Sequence, residues 1–307
     1  MGETEKRGTA QPWAEKRRAV VIGAGSFVMD AIIDGLRRLP RADADAALHV
    51  RRPQDGGDPA VARERLAECR VLIEEACPQQ GQFSLDEAER ARLPADCARI
   101  LVPTLHMASL WPLMADDPRN VPEPGAPYGR IPRPFADMLV LRVRAEVADP
   151  ARRMAAYLAR DVIAEAGVAA AHEQATAEAF AREQDCDVRV AAYVLHHFRE
   201  LRLFYTDGHP TGRLMAYVLA QLIGHSALRA VFTAPLEAQM LRLRDWARRS
   251  GVFAGEEAPI HPAVAAHFGL AWHHPQMIFR WQDRDWTFED WIDFLLRHEP
   301  PQARAAE

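Results

Sequence analysis

Residues 20–27 read VVIGAGSF, an apolar run that opens into Gly23-Ala24-Gly25 directly after a short charged leader. A buried strand that ends in glycines and runs into an amphipathic helix is the repeating unit of a parallel α/β sheet. Residues 19–22 read as the strand. Residues 26–39 then set Phe27, Ile32, Ile33, Leu36 and Leu39 at roughly helical spacing, closed by Pro40. Such a turn also begins the dinucleotide fingerprint G-x-G-x-x-G, but the third glycine position is Val28. The acidic residue that should follow about twenty residues on is missing, and HVRRP (residues 49–53) stands there instead. Arg51 and Arg52 suit a 2′-phosphate, yet that repairs a match already failed twice. A nicotinamide or flavin nucleotide-binding enzyme is therefore the weakest reading. What remains is a tight turn at a helix N-terminus, whose N–H groups suit an anion.

Outward from this turn, residues 47–50, Arg70–Ile73 (RVLI) and 98–102 (ARILV) read as further strands, with a helical stretch at 59–69 and a capping box at Ser84–Glu87. The alternation predicts a three-layer α/β fold with a mainly parallel sheet and helical additions in the C-terminal half. From Pro103 to Pro134 eight prolines break the pattern. A stretch of that length inside a domain reads as a binding loop. Asp149-Pro150 opens a helix that Gly167 is placed to stop; residues 173–200 form one or two more, broken near Asp185; 201–205 return to a strand. Thr211 caps a helix to about Leu228, Thr233 another to Arg249 with Gly251 behind it, and Thr287–Asp290 opens the last. The expected organisation is a leader over 1–17, a single domain over 18–298 and a tail over 299–307.

Composition narrows the function. The 307 residues carry a net charge of −5, against the basic footprint of a nucleic-acid binder. Lys6 and Lys16 are the only lysines. No apolar run approaches the ~18 residues of a membrane span, and the polar N-terminus has no signal-peptide core, so a cytoplasmic location is expected. Cys69, Cys77, Cys97 and Cys186 form no CxxC pair and read as buried thiols. Neither His196-His197 nor His273-His274 has ligand spacing, and no metal site is expected.

Three further stretches carry chemistry. In LFYTDGHPT (203–211), His209 sits between a strand and a helix, suited to general-base work, with Asp207 near enough to orient it. In VPTLHMASLWPLM (102–114), His106, Ser109 and Trp111 leave the end of a strand, at the edge where α/β sheets bind ligands. In APIHPAVAAHFGLAW (258–272), His261 precedes a short helix.

In order and spacing these segments resemble the WcbI family of capsular-polysaccharide biosynthesis proteins, regarded as coenzyme A-binding acetyltransferases with an α/β core. The family's P-x-L-H-x-x-x-L-W-P stands here at 103–112, its L-F-Y-T-x-x-H-P-[ST] at 203–211 and its P-I-H-P-x-V-A at 259–265, with Gly269-Leu270 after it. The first motif departs: Gly-Asn-Cys-Gln is replaced by Gly23-Ala24-Gly25-Ser26, so the cysteine position falls on Gly25. The resemblance implies transfer of an acetyl group from acetyl-CoA to a sugar or polysaccharide precursor. His209 is then the base, with Asp207 beside it and Ser26 a shifted substitute for the thiol. Gly23, Ala24, Gly25 and Ser26 supply the anion and oxyanion site, and His106, Trp111 and Thr211 line the coenzyme pocket. Arg130 and Arg202 are candidates for the coenzyme's phosphates. The alternative is a non-catalytic coenzyme A- or glycan-binding accessory protein that lost its nucleophile. Oligomeric state cannot be read from the sequence.

Overall fold

The computed structural model describes residues 20–24, 26–39, 47–51, 66–76, 85–119, 136–232, 234–249, 255–281 and 284–299. The leader, Gly25, Arg52, Cys77, Ser84, Arg130, Thr233, Gly251, residues 120–135 of the proline-rich stretch and the tail beyond residue 299 lie outside these. The strand β1 (Val20–Ala24) leads through Ser26 into α1 (Phe27–Arg37). Then come β2 (Ala47–Arg51), β3 (Cys69–Ala76), α2 (Glu87–Arg90) and β4 (Ala98–Pro103). All four strands are parallel, in the order β2-β1-β3-β4. The four strands expected between residues 19 and 102 all form in this sheet. Strand order reverses between β1 and β3, and the crevice at such a switch point, outside the carboxyl ends of the strands, is where open α/β sheets bind ligands.

Two details set the geometry of this edge. Gly23 is buried, and a Cβ there would lie 2.5 Å from Met29 Cγ and 2.9 Å from Ile33 Cγ1. The missing side chain lets α1 lie close on β1, the role the dinucleotide fingerprint gives to its third glycine. The pairing of β1 with β3 steps from Val20↔Cys69 to Val21↔Val71, leaving Arg70 as an extra residue. Cys69 therefore joins Leu72, Leu66 and Leu85 in a small cluster, while Val71 and Ile73 enter the main core. Cys186 is also buried and Cys97 half-buried.

After β4 a short 3₁₀ turn (Ala108–Leu110) leads to β5 (Met114–Ala115), which pairs antiparallel with β6 (Ala136–Asp137). The described part of the proline-rich stretch is therefore structured rather than an open loop. Helices follow: α3 (Met138–Glu146), α4 (Pro150–Leu158), α5 (Val162–Glu165), α6 (Val168–Arg182), α7 (Ala191–His197), α8 (Gly212–Gly224), α9 (Ser226–Arg229), α10 (Leu236–Arg249) and α11 (Pro262–Phe268). The hairpin β7 (Phe279–Trp281) and β8 (Arg284–Trp286) and then α12 (Phe288–Arg297) end the described chain. Buried side chains of α1, α8, α10 and α12 share one core with those of the sheet.

Local signals worked where side chains could act locally. Asp149 caps α4 through Ala151 N, and Thr287 with Asp290 forms a full capping box on α12. Several expectations need correction. The capping box near residue 86 is Asp86 with Glu89, two residues later than read. The helix begun at Pro150 stops at Leu158; Gly167, left-handed at φ 56°, instead separates α5 from α6. Thr211 occupies the N-cap position of α8 without bonding the helix, because its hydroxyl donates to Arg202 O at 3.2 Å. Residues 201–205 are not a sheet strand: the segment turns back on itself with a single bridge, Phe204↔Pro210. Leu203 and Phe204 are apolar because they are buried in the core.

Candidate functional site

Three chain segments meet at the carboxyl edge of the sheet. Ser26, half-buried after β1, has extended backbone and caps α1, its Oγ accepting from Val28 N at 3.3 Å. Across the switch point, Glu75 at the end of β3 accepts the Ser26 N–H at 2.7 Å. Glu75 is 7% exposed. Burial pushes its carboxyl above the ordinary glutamate range, and hydrogen bonds from Ser26 and Thr104 pull back against that rise. Thr104 also donates to Ala76 O at 3.1 Å, tying β4 to β3. The Ser26 N–H expected to receive an oxyanion is thus already bonded to a carboxyl of the chain itself.

The other motifs converge beyond β4. His106 Nε2 lies 2.7 Å from Asp207 Oδ2, and Met107 N donates to Asp207 O at 2.7 Å, so the 102–114 and 203–211 segments are joined by side chain and backbone. Ala258 N donates to Tyr205 O, and Trp111 Nε1 donates to Ala258 O at 3.2 Å, which brings in the third segment. The carboxylate expected beside His209 is therefore the partner of His106. His209 Nε2 pairs instead with Glu256 Oε2 at 3.2 Å. The two histidines differ in access: the side chain of His106 is 35% exposed, that of His209 12%. Burial depresses the His209 pKa, against the pull of Glu256 and Asp207. Arg202, a candidate for a phosphate, has a carboxylate and three rings around it. It pairs with Glu257 at 3.0 Å and lies over the rings of Tyr205, Trp272 and Phe279.

Two cavities flank this junction. His106 lines a narrow cleft of about 490 Å³, open mouth included, between the segment after β4 and helices α6 and α7. His172 of α6 lines it too, its Nδ1 3.1 Å from the Oγ of buried Ser109. Burial, with Arg199 and His267 nearby, holds His172 below the usual histidine range. No motif marks His172, a lone histidine in the alanine-rich run VAAAHEQATAEAFAR. Trp111, expected beside His106, lines the second cavity with Asp137 and His261. There Tyr157 OH donates to Asp137 Oδ2 at 2.7 Å, and Leu139 N and Val140 N donate to Oδ1. Burial raises Asp137 to about 6 and lowers His261 to about 4. His261 also caps α11, accepting from Ala263 N at 3.0 Å. Among the described residues no group of three or more His, Cys, Asp or Glu could hold a metal ion. No helix among them is long and apolar enough to cross a membrane.

The model of a family described as "Polysaccharide biosynthesis enzyme WcbI" matches residues 44–230, which include the His106 and His209 segments and begin after the glycine-rich turn. No curated protein matches. A solved structure described as WcbI, a novel polysaccharide biosynthesis enzyme, is 17% identical with a TM-score of 0.61, covering 91% of this chain and 89% of that one. That protein was solved in its native form, without a disulfide bond between coenzyme A and one of its cysteines. At this identity the likeness is one of fold alone. The family match, which spans more than half of the chain, carries the assignment: the chain belongs to the WcbI family of polysaccharide biosynthesis enzymes.

Proposed function

We propose that the protein transfers an acyl group, acetyl in the simplest case, from a coenzyme A thioester to a hydroxyl of a sugar or polysaccharide precursor. The observation that carries this reading is the His106–Asp207 pair at the mouth of the cleft. With Nε2–H donated to Asp207, the lone pair of His106 sits on Nδ1, and the carboxylate stabilises the imidazolium that forms. His106 takes the proton of the acceptor hydroxyl as that oxygen attacks the thioester carbonyl, then returns it to the departing thiol. A positioned base of this kind contributes ~10²–10⁴-fold. His209, less exposed than His106 and held by Glu256, keeps the 203–211 segment in place, so the base role read from sequence moves to His106. Ser26 is not required for direct transfer. Membership of a polysaccharide biosynthesis family supports a glycan acceptor, and coenzyme A in a structure of the same fold supports the donor.

A second reading, a binding protein without turnover, is favoured by the turn after β1. The cysteine of the family pattern is absent there, and the Ser26 N–H is engaged by Glu75. Calorimetry with coenzyme A, acetyl-CoA and, as controls, NADH and NADPH tests the donor. Thiol release from acetyl-CoA in the presence of monosaccharides and nucleoside diphosphate sugars then separates the readings. Release that disappears in His106→Ala supports transfer; binding without release under any acceptor supports the binding protein. A response to the nicotinamide nucleotides alone would overturn both.

A further inference from the structure

The cleft beside His106 is polar at one end and apolar along the rest. Its polar end holds His106 with Asp207 and His172 with Ser109, both pairs within hydrogen-bond distance. The rest of the lining is largely apolar, with Ala175 and Ala179, one helical turn apart on α6, facing Val194, Leu195 and Phe204; its hydroxyls are Thr104, which donates to Ala76 O, and Thr176. Phe204 is 1% exposed and belongs to the main core, so this wall is fixed. A pantetheine arm carries two amides that such walls would leave largely unpaired, at a cost in binding. An alkyl chain has no polar atom to desolvate and gains about fourfold in affinity for each methylene buried.

We infer that this cleft receives the acyl chain of the donor thioester, that the chain is longer than acetyl, and that Ala175 and Ala179 set the length accepted. The inference rests on the acyl-transfer reading above and specifies its substrate. The carbonyl then lies at the His106 end, where the base and the acceptor hydroxyl meet it, and the chain runs between α6 and α7. Small residues at 175 and 179 leave the space; a larger side chain at either would fill it.

The test titrates the full chain with two small thioesters that lack the nucleotide, S-hexanoyl- and S-acetyl-N-acetylcysteamine, and separately with coenzyme A. The hexanoyl thioester should bind at least tenfold more tightly than the acetyl one. Ala179→Leu and Ala175→Leu should reduce that ratio to about one, while Glu178→Leu, on the exposed face of the same helix, should leave it intact. Melting curves confirm that each variant is folded. Equal binding of the two thioesters by the wild type, or a ratio that survives both alanine substitutions, overturns the inference. The donor reading fails separately: coenzyme A that does not bind, beside a hexanoyl preference that holds, removes the donor and leaves the cleft. Coenzyme A that binds without any chain-length preference does the reverse.

Discussion

The turn after β1 and the loops after β4 sit on the same sheet edge, yet they use their polar groups in opposite ways. At the turn, two described donors are used internally: Ser26 N–H to Glu75, Val28 N–H to Ser26 Oγ. At the loops, His106 bonds Asp207 through one nitrogen and remains a third exposed, facing a cleft. Resemblance drew attention to the turn, where the family pattern places a reactive thiol. The proposed base, His106, lies about 80 residues further along the chain. A switch point marks where a ligand can lie, but which side chain acts there depends on which hydrogen bonds the fold has already used.

The sharpest way to break this comparison is kinetic. His106→Ala should lower kcat for thiol release by about 10²–10⁴-fold with little change in KM. Ser26→Ala should leave kcat within about threefold; the reverse pattern would return the chemistry to the turn. The closure at the turn is tested by stability. Glu75→Ala leaves the Ser26 N–H without its acceptor and should cost about 1–3 kcal/mol in urea denaturation, whereas Glu75→Gln keeps an acceptor and costs less. The pH dependence adds a sign. The Glu75 pKa is raised on folding, so its contribution falls as pH rises from about 4.5 through the folded value, and Glu75→Gln should compare more favourably with wild type at pH 7 than at pH 4. Ser26→Ala removes the N-cap and should cost about 1 kcal/mol, read in the same assay.

The smallest expected effect lies in the cavity behind Trp111. His261, held near 4, disfavours the folded state as pH falls from 6.5 towards 4, because the unfolded chain takes up the proton more readily. Asp137, raised to about 6, acts oppositely and favours the folded state over much the same range. Their joint contribution should vary by only about 1 kcal/mol across that window. Asp137→Asn should expose the steeper acid loss due to His261, and His261→Gln should expose the gain due to Asp137. Wild-type and variant slopes that coincide would remove this pairing of opposites.

What could be read from sequence follows from which interactions are local. Buried parallel strands are apolar on both faces, so VVI, RVLI and ARILV stand out without any partner in view. Caps such as Asp149 and Thr287 satisfy N–H groups two or three residues away and were equally legible. The run LRLFY was misread because burial against the core makes a non-strand segment as apolar as a strand. At the site, the three histidine segments were found, but not their pairing. Asp207 is two residues from His209 and 101 from His106, and only the folded chain shows that the distant histidine has it. His172 reaches Ser109 across 63 residues and was invisible for the same reason.

The rim of the sheet at β4 carries one more consequence. Leu101 turns its outward backbone away from β3, and residues 187 and 188 meet it: their N–H groups donate to Leu101 O at 3.0 and 3.2 Å, and Asp187 Oδ2 accepts from Leu101 N at 2.7 Å. A short loop with a carboxylate thus occupies the place a fifth strand would take. Another polypeptide cannot zip onto that side by strand addition, the route by which exposed sheet margins recruit copies of themselves into aggregates. The same loop joins α6 to α7, so the segment that keeps the sheet from growing also holds together the two helices that wall the cleft.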